Sequence, residues 1–179
     1  MAVKITYFVH GTTTDNEAGL STGQEQGELS CLGIKQSKEL PKKVGKEKFD
    51  FVFCSDLKRA VDSAELSFKG RYPIIHDKRL RECNYGDLNK SPEKYVDYSK
   101  RINEPFPNGE SLKDVEVRIK DFLKFLKSKY NGKHIAIVGH RAPQLAFEIL
   151  INGKTWKQAI DQDWRKTKSW QPGWEYNLI

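Results

Sequence analysis

Several common patterns are missing from this chain. Its three cysteines, Cys31, Cys54 and Cys83, are far apart, odd in number and in no CxxC arrangement. That excludes a disulfide scaffold and fits reduced thiols in a cytosol. No stretch approaches the roughly 20 apolar residues of a membrane span, and the N-terminus runs straight into strand-like sequence with no leader pattern. A cytoplasmic protein with no membrane partner is expected. There is no repeat, low-complexity tract or linker, and no block of like charge of the kind a nucleic-acid arm carries. What is present is 179 residues, 37% hydrophobic, with a net charge of +7. That length and composition imply one domain over residues 1–179 with a sizeable core. The positive excess favours an anionic ligand, either a small phosphorylated molecule or nucleic acid. The nucleic-acid reading rests on charge and four tryptophans alone and would require strongly salt-dependent binding.

The pattern along the chain alternates strands with helices. VKITYFV, residues 3–9, is almost continuously apolar, as a strand buried on both faces should be. Residues 11–28 hold four glycines and three consecutive threonines and read as a loop. Ser30 can cap a helix carrying Ile34, Ser37 and Leu40 on one side. FDFVF (49–53) reads as the second strand, with Asp56 as a cap for a helix near Leu57. YPII (72–75) reads as a shorter third strand. Residues 77–108 have weak periodicity and read as loop with one short helix. PFPNGES ends in a Ser111 cap for the clearest helix, in which Leu112, Val115, Ile119, Phe122 and Leu126 recur at helical steps. HIAIV (134–138) is another buried strand, Pro143 suits the first turn of the helix after it, and WEYNLI at the end reads as an edge strand. The fold class expected is α/β: a three-layer α/β/α sandwich with a mainly parallel central sheet.

In open α/β sheets ligands bind beyond the carboxyl ends of the strands. Three strands here end in polar clusters: His10-Gly11, Ser55-Asp56-Leu57-Lys58-Arg59 and Gly139-His140-Arg141. Glu82, in RLRECNYGDL, is a fourth candidate. The set suits phosphoryl transfer. A neutral imidazole can attack phosphorus and hold the phosphoryl group covalently. Cations and N–H donors should surround the equatorial oxygens, and a buried carboxylic acid can protonate the leaving alkoxide. Each residue also has a plainer reading. A histidine at a strand end is often a packed core residue, an arginine on a helix often pairs at the surface, and Glu82 can pair with its neighbour Arg81. A metal site from His10, Asp15, Glu82 and His140 lacks short ligand-like spacing. His76 and His134, at strand edges, read as structural. The tryptophans read as packing or a pocket wall rather than a base-stacking platform.

Taken in order, these segments resemble the histidine phosphatase superfamily, the phosphoglycerate-mutase-like fold, nearly end to end. FVHGTTTDN is similar to that family's RHGxT/SxxN opening, and STG with LSCLG to its TGxxxxxLSxxG stretch. SDLKRA resembles its second arginine motif and RLRECNYGDL its acid-bearing segment. PNGES with Arg118, seven residues beyond Ser111, resembles its PxGES…R pattern, and IVGHRAP stands in the place of its second-histidine motif. The resemblance implies a phosphatase in which His10 is the phosphorylated nucleophile. It implies that Arg59 and His140 bind the phosphoryl group, with Asn16 and Thr22 donating hydrogen bonds near it. Glu82 would be acid, then base. No metal and no organic cofactor is implied, and the partner is a small phosphorylated substrate. Gly11 would leave room for the phosphate to approach the backbone. The 28 residues between Glu82 and Ser111 are short for a mutase of the family, which must retain its product under a lid, so the phosphatase branch is expected.

Two positions depart from the pattern. Val9 stands where the family has arginine before the histidine, and Arg141 where glycine is common after the second histidine. A lost transition-state donor costs about 10²–10³ in rate. Either Arg141 partly replaces the missing guanidinium from the neighbouring strand end, or it points to solvent and the site is weakened. The alternative to an enzyme is a catalytically impaired, phospholigand-binding member of the same fold.

Overall fold

The apolar run at residues 3–9 forms β1 (Val3–Val9), covered on both faces. The structure, a computed structural model, describes residues 2–167 and 173–179. After β1 come α1 (Thr14–Glu17), β2 (Leu20–Ser21), α2 (Cys31–Val44), β3 (Phe51–Cys54), α3 (Lys58–Phe68) and β4 (Ile74–His76). Then follow β5 (Ser91–Pro92), α4 (Leu112–Lys129), β6 (His134–Gly139), α5 (Arg141–Leu150), α6 (Trp156–Asp161), α7 (Trp164–Thr167) and β7 (Trp174–Leu178).

The main sheet runs β4-β3-β6-β1-β7. β1, β3, β4 and β6 are parallel, and β7 closes the edge antiparallel to β1. Alternation along the strands sorts side chains into two layers. Tyr7, Phe53 and Ile137 pack with Ile119 and Phe122 of α4 and Phe147 of α5. Phe8, Val52 and Val138 face the opposite way, onto Leu40 of α2 and Ala64 and Phe68 of α3. Burying each such side chain contributes about 1.5–3 kcal/mol. A one-residue slip of β1 would exchange the two layers wholesale, so the register is held by both faces at once. The three-layer α/β architecture expected from the alternating pattern is the one that forms.

Local signals behave as their chemistry dictates, with exceptions. Ser30 accepts from the Gly33 N–H at the start of α2, and Ser111 forms a capping box with Asp114 at α4. Asp56 does not cap α3, which starts after Leu57 without a side-chain cap. Its carboxylate takes two bonds from Arg81 instead, at 2.7 and 2.6 Å, because a bidentate charge-assisted pair outweighs a cap to neutral N–H groups. The Lys58 N–H goes to Gln26 Oε1 at 3.0 Å. The stretch read as loop, 11–28, holds α1 and β2, and β2 pairs with β5. The stretch 77–108 carries four 3₁₀ turns rather than one short helix. Among the described residues no helix is long and apolar enough to cross a membrane.

Candidate active site

β1 and β6 are neighbours with Val9 opposite Gly139, so the residues that follow, His10 and His140, lie side by side at the carboxyl rim. Their ring centroids are 5.0 Å apart. The His10 N–H donates to the Gly139 carbonyl at 3.1 Å. The Tyr7 hydroxyl accepts from the His140 N–H and donates to its carbonyl, both at 2.9 Å. A Cβ at Gly139 would sit 2.2 Å from that hydroxyl, so glycine there serves the tyrosine lock.

His10 Nδ1 lies 2.7 Å from the Gly11 carbonyl. A carbonyl only accepts, so Nδ1 carries the proton and Nε2 keeps its lone pair. The Arg59 Nε–H donates to that Nε2 at 3.3 Å. Burial first, then the Arg59 charge, push the His10 pKa down to about 3, so the ring is neutral at physiological pH. His140 is fully buried and is likewise held neutral, by burial and then by the charge of Arg59. Neither of its ring nitrogens has a hydrogen-bond partner among the described residues.

Arg59, in the first turn of α3, is 2% exposed. It donates to the carbonyls of Glu25 at 3.0 Å and Gly23 at 2.6 Å. The 22–28 loop thus wraps the guanidinium and aims its Nε at His10. Glu82 arrives from the loop after β4. Its Oε1 accepts from the N–H groups of Cys83 at 2.8 Å and Ala142 at 3.0 Å, and its Oε2 from Arg141 N–H at 3.2 Å. The carboxylate therefore seats on the N-terminus of α5, whose own N-cap, His140, offers no side-chain cap. That is a favourable place for negative charge. Behind it, Arg118 donates to the Glu82 carbonyl at 3.1 Å while paired with Glu110 at 2.9 Å, and Gln24 donates to the same carbonyl at 2.9 Å.

His10, Arg59, Glu82 and Arg141 border a cavity of about 320 Å³, which Asn16 and Thr22 also line. The structure therefore brings these sequence-derived candidates together, but several are engaged differently from expectation. Asn16 Oδ1 accepts from Thr13 N–H, leaving its amide nitrogen as the donor at the cavity wall. The Thr22 hydroxyl donates to Asp15 at 2.9 Å rather than into the cavity. The Gly11 N–H donates to Ser63 Oγ at 3.0 Å. A Cβ on Gly11 would lie 2.5 Å from the Gly33 carbonyl, so close packing of α2 requires this glycine. Arg141 neither points to solvent nor lies free beside His10. Its Nε donates to Asp163 Oδ2 at 2.5 Å, and its guanidinium stacks on the Tyr98 ring at 4.2 Å.

Sequence reasoning missed Asp163 and, beside the wall-forming Trp164, Arg165. The last two line the cavity, and the buried Asp163 anchors Arg141. Trp164 and Arg165 lie on the four-residue α7 with Asp163 just before it, and none carries a periodicity that could reveal it. Trp156 packs in the core and Trp164 walls the cavity, as read for tryptophan; Trp170 lies outside the described residues.

The chain is similar to known proteins over most of its length. The family model of the histidine phosphatase superfamily (branch 1) matches residues 7–175. Phosphoserine phosphatase 1 of Hydrogenobacter thermophilus is 28% identical, over 89% of this chain and 82% of that one. The metal-independent phosphoserine phosphatase of Arabidopsis thaliana is 32% identical, over 73% of this chain and 61% of its own. Among solved structures, the α-ribazole phosphatase of Shigella flexneri superposes with a TM-score of 0.78 at 26% identity, covering 89% of this chain and 84% of that one.

Proposed function

The chain belongs to the histidine phosphatase superfamily, branch 1, and from that membership and the rim geometry we propose that it hydrolyses a small phosphomonoester through a phosphohistidine on His10. The observation that carries this reading is the tautomer of His10. With Nδ1–H held by the Gly11 carbonyl, the lone pair is on Nε2, beside Arg59 at the cavity. A ring that stays neutral down to about pH 3 is a competent nucleophile throughout the physiological range.

In the first step the Nε2 lone pair forms the N–P bond as the bond from phosphorus to the leaving oxygen breaks. Glu82, which begins the cycle protonated, gives its proton to that oxygen and becomes the carboxylate that the N–H groups of α5 stabilise. The positive charge left on the phosphorylated ring is stabilised by the hydrogen bond from Nδ1–H to Gly11. In the second step a water attacks phosphorus and passes its proton to the Glu82 carboxylate. The N–P bond breaks, inorganic phosphate leaves and His10 is neutral again. Arg59 stabilises the equatorial oxygens and Asn16 adds its amide N–H groups, while the buried His140, outside the cavity lining, packs beside the His10 ring. No metal takes part in this scheme. Phosphoserine is the first substrate to offer, since two of the relatives named above are phosphoserine phosphatases.

One observation favours a second reading, a phospholigand-binding protein without turnover: Val9 places no donor at a rim position beside His10. Hydrolysis of a neutral-leaving-group aryl phosphate in EDTA separates the two. Turnover that survives EDTA and falls at least about 10³-fold in His10→Ala is expected, in the range of losing a covalent nucleophile. A wild-type protein that binds inorganic phosphate without turnover would leave the binding reading.

A further inference from the structure

Of the cations that line the cavity, Lys43, Arg59, Arg141 and Arg165, only Arg59 hydrogen-bonds His10 among the described residues. Arg59 already spends three donors on Gly23, Glu25 and His10. His10 and His140 are neutral. Arg141 is committed to Asp163, whose side chain is fully buried. A transferring phosphoryl group spreads charge over three equatorial oxygens and calls for cationic donors on more than one side.

Arg165 meets that need by position. Trp164 packs on Trp174 with centroids 5.7 Å apart. Trp174 stands opposite Tyr7 in the sheet, and both Trp174 and Val9 pack against the same apolar cluster. α7 therefore lies beside the carboxyl end of β1, on the side where Val9 presents only a short apolar side chain. Val9, His10, Trp164 and Arg165 all line the one cavity. Asp163 ties the two arginines into a single unit, since its Oδ1 accepts from the Arg165 N–H at 2.9 Å and its Oδ2 from Arg141. The indole N–H of Trp164, buried at this wall, has no partner among the described residues, so this side of the cavity holds a donor that no described residue satisfies. The charge of Arg165 also reaches His10, adding to burial and Arg59 in keeping the ring neutral.

At rest the Arg165 guanidinium pairs with Glu93. Both side chains are substantially exposed, 34% and 46%. Such a pair is weak and exchanges readily for a dianion.

We propose that Arg165 is a phosphoryl-binding residue that trades its ion pair with Glu93 for the oxygens of the phosphoryl group at His10, supplying from α7 the guanidinium that Val9 cannot. The inference rests on His10 as the phosphorylated residue. It also accounts for Val9: a long cationic side chain there would compete for the space and the anion.

The test uses the full chain, an aryl phosphate with an uncharged leaving group, and calorimetric binding of inorganic phosphate. Arg165→Ala should lower kcat/KM by about 10²-fold, the lower range for one lost transition-state donor, and weaken phosphate binding at least tenfold with the melting temperature nearly unchanged. Arg165→Lys should recover part of the loss. Adding Val9→Arg to Arg165→Ala should restore at least tenfold of it, whereas Val9→Arg alone should gain little. Glu93→Gln, which releases the guanidinium, should tighten phosphate binding a few-fold. Wild-type kcat/KM on this substrate in Arg165→Ala would overturn the proposal. Loss confined to substrates with an anionic leaving group would overturn it equally, by placing Arg165 at the leaving group. The phosphate-binding arm decides even if the wild type shows no turnover, so failure of the phosphatase reading is distinguishable from failure of this one.

Discussion

At the scale of single residues, the two histidines at the rim have had their ordinary protonation changed by where they sit. An imidazole in an unfolded chain takes up a proton near pH 6.5, whereas folded His10 does so only near about pH 3, and His140 also well below 6.5. Between those values the unfolded chain binds more protons than the native one, so stability is full above about pH 6.5 and falls as the pH drops toward about 3. The ring signals of His10 and His140 in NMR should keep their neutral-form positions from about pH 8 to about pH 5, while the melting temperature declines over the lower part of that interval. A protonated His10 at about pH 6 would contradict the burial and charge assigned to it. The sequence marked these histidines by their place after apolar runs. It carried no sign that Gly11 would fix the tautomer or that Tyr7 would clasp both backbone polar groups of His140.

At the scale of elements, the Glu82 carboxyl depends on a support that does not touch the cavity. Glu110 and Arg118, on the loop before α4 and on α4 itself, hold the Glu82 backbone, and Gln24 joins the 22–28 loop to both carboxyl residues. Removing Arg118 strands the Glu110 carboxylate and frees the Glu82 carbonyl. Arg118→Ala should cost about 1.5–3 kcal/mol in stability, the range for hydrogen bonds to charged groups. It should also lower kcat more than it raises KM, since a misaimed acid affects the chemical step more than binding. Arg118→Lys keeps the charge but not the fork and should recover only part of kcat. A fall in stability with kcat intact would make this network structural alone. The spacing of Glu110, Ser111 and Arg118 was legible through the PNGES…R resemblance, with Ser111 at the start of one strongly periodic helix and Arg118 within it. The short elements α1, β2, β5 and α7 were not, because a segment of two to four residues has no period to read. Asp56 shows the same limit: as a helix cap it looked plausible, and a partner 25 residues away, Arg81, took it.

At the scale of the whole molecule, a net charge of +7 acts on an anionic substrate before contact is made. The screening length shrinks from about 30 Å at 0.01 M salt to about 8 Å at 0.15 M. Over that range kcat/KM for a dianionic phosphomonoester should fall a few-fold while kcat holds. A kcat/KM indifferent to salt would confine the electrostatics to the arginines at the cavity. The order of apolar strands and amphipathic helices was enough by itself to determine the α/β architecture, because two-sided burial of β1, β3 and β6 leaves continuous apolar runs that few other folds need. It also determined which strand ends carry reactive groups, and hence that His10 and His140 share a rim. Tertiary structure alone decided which cations serve that rim. Arg141 follows His140 in sequence, yet its guanidinium pairs with the buried Asp163 and stacks on the Tyr98 ring at the wall of the same cavity. Arg165, far along the chain, is brought beside β1 because β7 returns antiparallel along that strand. A side chain's partner is set by which long-range contacts form around it, and sequence neighbours do not encode those contacts.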